Sequence, residues 1–332
     1  MTKVLLAAAL AALTGSSAFA ATGVDALYEA ARKEGGLVWT EVPLDYNKAV
    51  AREFEKRYPG VKVALVPLGG TQIVQRFKLD KAAGKEEVDC LSSGLTEAYP
   101  DLRRKGWLAP LDALPGWKGR AAVDRDPNGA YFYYANFEIV LMWNTALVKD
   151  AEAPKTVREL ADPRWKGRVV MFDPASAGVA VPMYRWTVSV LGLGLDWLKS
   201  LRAAEVQLAA NAAQMDEAVA SGRRAVALTR DVEAIAAKRR GAPVAFRIPA
   251  DGRMLHRMPL AINAAAPHPN AARLFASWLL SPESRAALAA EGAGAPPAGE
   301  KAPAAWSLDA ESVSAAETKT FVDSVLEALK GA

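Results

Sequence analysis

Three short segments carry the residue types best suited to holding a small polar molecule: Gly69-Gly70-Thr71, Ser92-Ser93-Gly94 and Ser176-Ala177-Gly178. Each follows an apolar run and opens a helical pattern. Each therefore puts hydroxyls and unsatisfied backbone N–H groups at a helix start, where the helix dipole also favours negative charge. Small residues also serve simply as turn formers and N-caps. What sets these three apart is that loops at the ends of parallel strands converge on one edge, where open α/β sheets bind ligands.

Other chemistry is sparse. The chain has no G-x-S-x-G, H-E-x-x-H, G-x-x-x-x-G-K or G-x-G-x-x-G motif. His256 and His268 stand twelve apart without a cysteine partner, a spacing that fits no common metal site. Cys90, the single cysteine, has no partner for an internal disulfide and reads as a small core residue. No catalytic residue, metal ligand or cofactor is expected. A metal-free hydrolase built from scattered carboxylates is the enzymatic alternative, and turnover of a bound compound would distinguish it.

The elements that must position these segments alternate. Leu27–Lys33 reads as a helix stopped by Gly35-Gly36, and Leu37–Thr40 as a short strand. Val50, Phe54 and Tyr58 fall four apart on one face of a helix over 47–58, which Pro59-Gly60 ends. Strands follow at 61–65 and 88–91, with a helix between them carrying Ile73 and Phe77. Past an irregular stretch at 106–129, a second series has strands at 168–172, 225–229 and 244–248 and helices at 176–191, 196–208 and 231–240. Helices are also expected at 270–280 and 312–329, the latter with Phe321, Val325 and Leu329 four apart, and a surface loop at 292–303. Tyr131–Asn144 is a long apolar strand able to run from one half into the other, and 260–263 could carry the chain back. The expected class is α/β with parallel strands.

Composition fits two packed halves. Of 332 residues, 51% are hydrophobic and only 8% aromatic, enough to bury a sizeable core in each half. The net charge of +4 is mild, and the densest basic run, Lys238-Arg239-Arg240, closes a helix, so no nucleic-acid partner is expected. The first twenty residues read as an export signal: Lys3, an apolar run from Val4 to Leu13, and Ala18-Phe19-Ala20 for cleavage after Ala20. That run is shorter than the ~20 residues a membrane span needs, and no later stretch reaches ~18 uninterrupted apolar residues. A free, monomeric, periplasmic protein is expected.

The succession Leu27-Tyr28-Glu29-Ala30-Ala31-Arg32-Lys33-Glu34-Gly35-Gly36-Leu37-Val38, Gly69-Gly70-Thr71 and Asp173-Pro174-Ala175-Ser176-Ala177-Gly178 resembles the extracellular solute-binding proteins of ABC importers, nearest the group with the ferric-iron-binding proteins. The resemblance continues through Ile248-Pro249-Ala250-Asp251-Gly252, Pro269-Asn270-Ala271-Ala272-Arg273-Leu274-Phe275 and Leu280-Ser281-Pro282-Glu283-Ser284. It implies the type II periplasmic-binding fold: two α/β lobes, one formed by 22–131 with 258–332 and the other by 132–257, hinged near 132–144 and 258–263. It implies a small-molecule solute as ligand and an ABC permease in the inner membrane as partner. Ligand contacts carried over from the family fall on Thr40, Gly70, Thr71, Ser92, Ser93, Ser176, Gly178, Arg230 and Asp231.

One departure bears on the ligand. The iron-binding members use adjacent tyrosines after the strand that here is 225–229, since phenolate suits a hard cation; this chain has Arg230-Asp231-Val232-Glu233 instead. Tyr131, Tyr133 and Tyr134 read as core and hinge packing. Arg230 favours a carboxylate, phosphate or phosphonate, whereas Asp231 and Glu41 favour an amine or hydroxyls. Three functions stay open beside capture of a polar or anionic solute for import: transport of iron through an unusual ligand set, ligand sensing for a membrane kinase, and hydrolysis.

Overall fold

The computed structural model describes residues 23–42, 44–176, 178–294 and 305–331. The expected export segment and much of the expected loop at 292–303 lie outside the described residues.

Helix α1 (Gly23–Glu34) ends at Gly35, whose φ of 80° suits glycine, and strand β1 (Gly36–Glu41) follows directly. Then come α2 (Asp45–Arg57), β2 (Lys62–Pro67), α3 (Gly70–Ala82) and the two-residue β3 (Cys90–Leu91). Helix α4 (Tyr99–Arg104) leads into the irregular stretch and then into β4 (Tyr131–Asn144), which is buried at every position but one. The second series is β5 (Val169–Phe172), α5 (Ala180–Arg185), α6 (Gly194–Ala203), β6 (Gln207–Ala209), α7 (Ala212–Ala220), β7 (Val226–Arg230), α8 (Asp231–Arg239) and β8 (Val244–Arg247). The chain closes with β9 (Leu255–Ile262), α9 (Pro269–Leu279), α10 (Pro282–Ala290) and α11 (Ala315–Lys330).

The strand order is β2-β1-β3-β9-β4-β7-β5-β6, with β8 beside β4. Within each half the β1, β2 and β3 set and the β5, β6 and β7 set are parallel, as the alternation requires, while β4 and β9 run antiparallel to their neighbours. Strand β4 joins the halves. Its first part, Tyr131 to Glu138, pairs with β9, and its second, Ile139 to Asn144, pairs with β7 and β8.

Two large cores lie on either side of that junction. One gathers Trp39, Phe54, Phe132, Phe137, Phe275 and Trp278; the other gathers Trp143, Phe172, Tyr184, Trp186, Leu198 and Leu228. The helix expected over 196–208 stops at Ala203, because Glu205 turns the chain at φ 57° and Val206 onward extends into edge strand β6 beside β5. The helix expected from Ser176 begins at Ala180 and loosens into a π turn over Trp186–Val190. Helix α11 buries Val325, Ala328 and Leu329 in the second core, against α6, although the sequence suggested that 258–332 sits with the first half. Its apolar stripe is complementary to the α6 face bearing Leu198 and Leu201.

Candidate functional site

The loop-bearing ends of both parallel sets face each other across a cavity of about 180 Å³. Its floor comes from Val42 after β1, Met258 on β9 and Phe172 at the end of β5. The N-termini of α3 and α7 border it with Gly69 and Gly70, and with Asn211, Ala212 and Ala213. Asn211 caps α7, its Oδ1 accepting from the Gln214 N–H at 3.0 Å.

The halves touch beside the cavity. Gly70 and Gly178 lie so close that a Cβ on Gly70 would stand 2.8 Å from the Gly178 nitrogen, and one on Gly178 would stand 3.0 Å from the Leu95 nitrogen. A side chain on Gly70 would force the backbone to shift, and one on Gly178 would be tight. Thr71 donates from Oγ1 to the Ser176 carbonyl at 2.9 Å, a bond between the halves. Further out, Arg240, just past α8, pairs with Asp216 at 3.0 Å and approaches Asp45 of the first half at 3.9 Å, bordering an open recess of about 620 Å³.

Arg230, 5% exposed, ends β7 and lines the cavity. Its Nε donates to Glu233 Oε2 at 3.1 Å and its Nη2 donates to Oε1, so a buried acid one turn along α8 balances its charge. Nη1 makes no hydrogen bond among the described residues. The guanidinium also lies over the Phe137 ring, 5.3 Å from its centroid. Opposite is His256, 2% exposed, with Nε2 3.3 Å from the Gly94 carbonyl and Nδ1 buried without a partner. Burial and the charge of Arg230 push this imidazole down to about 3, so it is neutral at ordinary pH.

Of the residues expected at the site, Gly70, Gly178 and Arg230 line the cavity, and Thr71 and Ser176 form the contact beside it. Ser93 lies just behind: its hydroxyl donates to the Gly70 carbonyl at 2.6 Å and accepts the Leu95 N–H at 3.1 Å. Ser92 accepts the Trp39 indole N–H at 2.9 Å, a contact within the first core. Thr40 is buried in β1 with its hydroxyl unpartnered, and is not among the residues lining the cavity. Asp231 is likewise outside that lining. Its carboxylate accepts the Val232 N–H at 2.8 Å, and burial raises it to about 7.

Sequence reasoning passed over His256 and Asn211 as site residues. Asn211 carried a signal, since Ala210-Asn211 repeats the pattern of strand end, small polar residue and helix start. His256 carried none, because β9 places it and β9 crosses from elsewhere in the chain. Tyr131 and Tyr133 border a different recess, with Arg257, and Tyr134 donates to Asn47 Oδ1 at 3.1 Å. Burial raises all three phenols, Tyr133 to about 12. Glu41, which accepts from the Asn47 amide, is raised by burial to about 8. Among the described residues no group of three His, Cys, Asp or Glu is placed to hold a metal ion.

The fold is that of known two-lobed binding proteins. The substrate-binding protein of an ABC transporter from Agrobacterium tumefaciens superposes with a TM-score of 0.81 at 16% identity, over 89% of this chain and 94% of that one. The periplasmic binding protein AfuA from Actinobacillus pleuropneumoniae, bound to fructose-6-phosphate, gives 0.74 at 19% identity, over 90% and 99%. In sequence, an Fe(3+)-binding periplasmic protein from Serratia marcescens is 26% identical over 219 residues, 63% of this chain and 62% of that protein. The chain spans less than two thirds of the length of the curated relatives that it matches. Residues 49–319 match the family described as bacterial extracellular solute-binding protein, which with the two-lobed fold carries the conclusion: this chain belongs to that family.

Proposed function

We propose that the chain is the exported solute-binding component of an ABC importer, freed by cleavage after Ala20, and that it captures a small polar or anionic solute in the periplasm by closure of its two halves. One observation carries this reading: a cavity at the facing loop-bearing edges of two sheets, with Arg230 in its wall and the halves touching beside it at Gly70, Gly178 and Thr71. A solute held there contacts both halves, so it favours the closed form by its greater affinity for it. The protein then works as a monomer that presents the closed form to a permease.

Ferric ion, the cargo named for the Serratia marcescens relative, is the second reading. It is weakened by the lining of the cavity, in which no tyrosine, aspartate or glutamate occurs among the described residues.

The test is a thermal-shift screen of the mature protein against anionic, cationic and neutral solutes, ferric citrate included, with small-angle scattering of each hit. A solute at a hundredfold excess over its Kd is expected to add about 2.7 kcal/mol of stability and to reduce the radius of gyration. A stabilising solute that leaves the radius unchanged counts against closure, and turnover of the solute counts against a binding role.

A further inference from the structure

We infer that the solute is a small monocarboxylate with an apolar body, its carboxylate held between the N-terminus of α7 and Nη1 of Arg230. This inference rests on the proposal that the cavity between the halves is where the solute is captured.

Charge limits the ligand first. The cavity wall holds one cation, Arg230, and Glu233 already balances it through Nε and Nη2. His256 adds no charge, because it is neutral. Donors left for a ligand are Nη1 of Arg230, the side-chain amide of Asn211, and backbone N–H groups without an intrahelical acceptor at the first turns of α7, Ala212 and Ala213, and of α3, Gly70. Together with the helix dipole these suit a single negative charge shared over two oxygens. A phosphate or phosphonate dianion would bring a second charge with no counter-cation into a buried space, which is costly. An amino acid fares no better, since among the described residues that line the cavity there is no aspartate or glutamate to meet its ammonium.

The walls limit the rest of the molecule. Val42, Leu44, Phe172, Val179 and Met258 surround the cavity, and among the described lining residues the further polar side chains are His256, whose Nδ1 is buried without a partner, and Asn211. A sugar's ring of hydroxyls would lose its water hydrogen bonds against that surface without replacement. At about 180 Å³ the space is also below the ~300–1,000 Å³ of sites for drug-sized ligands, so the apolar body is short or a single ring.

The test is isothermal titration of the mature protein with benzoate and 3-methylbutanoate, set against benzamide and phenyl phosphate. At least one carboxylate is expected to bind tenfold or more tightly than either comparison compound. Ala213→Asp places a carboxylate at the helix N-terminus, where it favours the helix, and should weaken the carboxylate tenfold or more. Ala213→Asn, the uncharged match, should stay within about threefold of the parent. Equal or tighter binding of benzamide or phenyl phosphate, or equal effects of the two variants, would overturn the inference. If another solute from the thermal-shift screen binds and compacts the protein while both carboxylates fail, the ligand class is wrong and capture between the halves stands. If no solute alters either melting or scattering, the capture proposal fails with it.

Discussion

Arg230 shows how one residue can be both structural and available. Glu233 occupies part of its donor set, so the guanidinium stays buried at low cost, while Nη1 makes no hydrogen bond among the described residues and Arg230 lines the cavity. Glu41 illustrates the opposite case, an acid buried beside Asn47 and raised to about 8. Its folded pKa lies above its unfolded value, so the folded chain holds a proton that the unfolded chain releases between about pH 5 and pH 8. Stability therefore falls as pH rises through that window, by up to about 1.4 kcal/mol per pH unit for one such group. Glu41→Gln should remove that contribution, and urea unfolding at pH 5 and pH 8 should show a smaller drop for the variant; an unchanged drop would mean that Glu41 is ionised in the folded protein. Residue types at strand ends pointed to Gly70 and Gly178 in the sequence, and the resemblance to solute-binding proteins pointed to Arg230. Ser92 misled because a hydroxyl looks the same whether it faces a ligand or an indole, and Trp39 lies 53 residues away.

At the scale of elements, the alternation of strands and helices was readable because amphipathic periods and glycine stops are local properties. Edge strand β6 was not, since its three residues are extended only by pairing with β5, and pairing is a tertiary fact. The same holds for α11, whose stripe was plain but whose partner α6 could not be known. Leu329→Ala should cost about 2–5 kcal/mol, as for other buried leucines, and should lower the urea midpoint of unfolding. A loss under ~0.5 kcal/mol would mean that α11 is not docked there in solution. The start of α3 sets a different constraint, because any side chain on Gly70 meets the backbone of Gly178. Gly70→Ala is expected to cost the closed form about 1–3 kcal/mol, weakening the solute roughly 5- to 150-fold in titration, with each half still folded. Unchanged affinity would show that the two glycines do not meet in the bound state.

For the molecule as a whole, the proposed function has the two cores move as units about the contacts between the halves. The Thr71 hydroxyl bond to Ser176 joins the two halves, so on the proposed closure Thr71→Ala should cost the closed arrangement about 0.5–1.5 kcal/mol. Titration should then read an affinity two- to tenfold lower while the far-ultraviolet circular dichroism stays the same, and an unaltered affinity would remove Thr71 from the closing contact. Helix α1 packs on α9 in the first half, whereas α11 packs on α6 in the second. The opposite ends of the described chain thus sit on different halves. On the proposed closure, a donor dye on α1 and an acceptor on α11 would report each closing event as a change in energy transfer, which makes the chain a ready optical sensor for any solute that closes it.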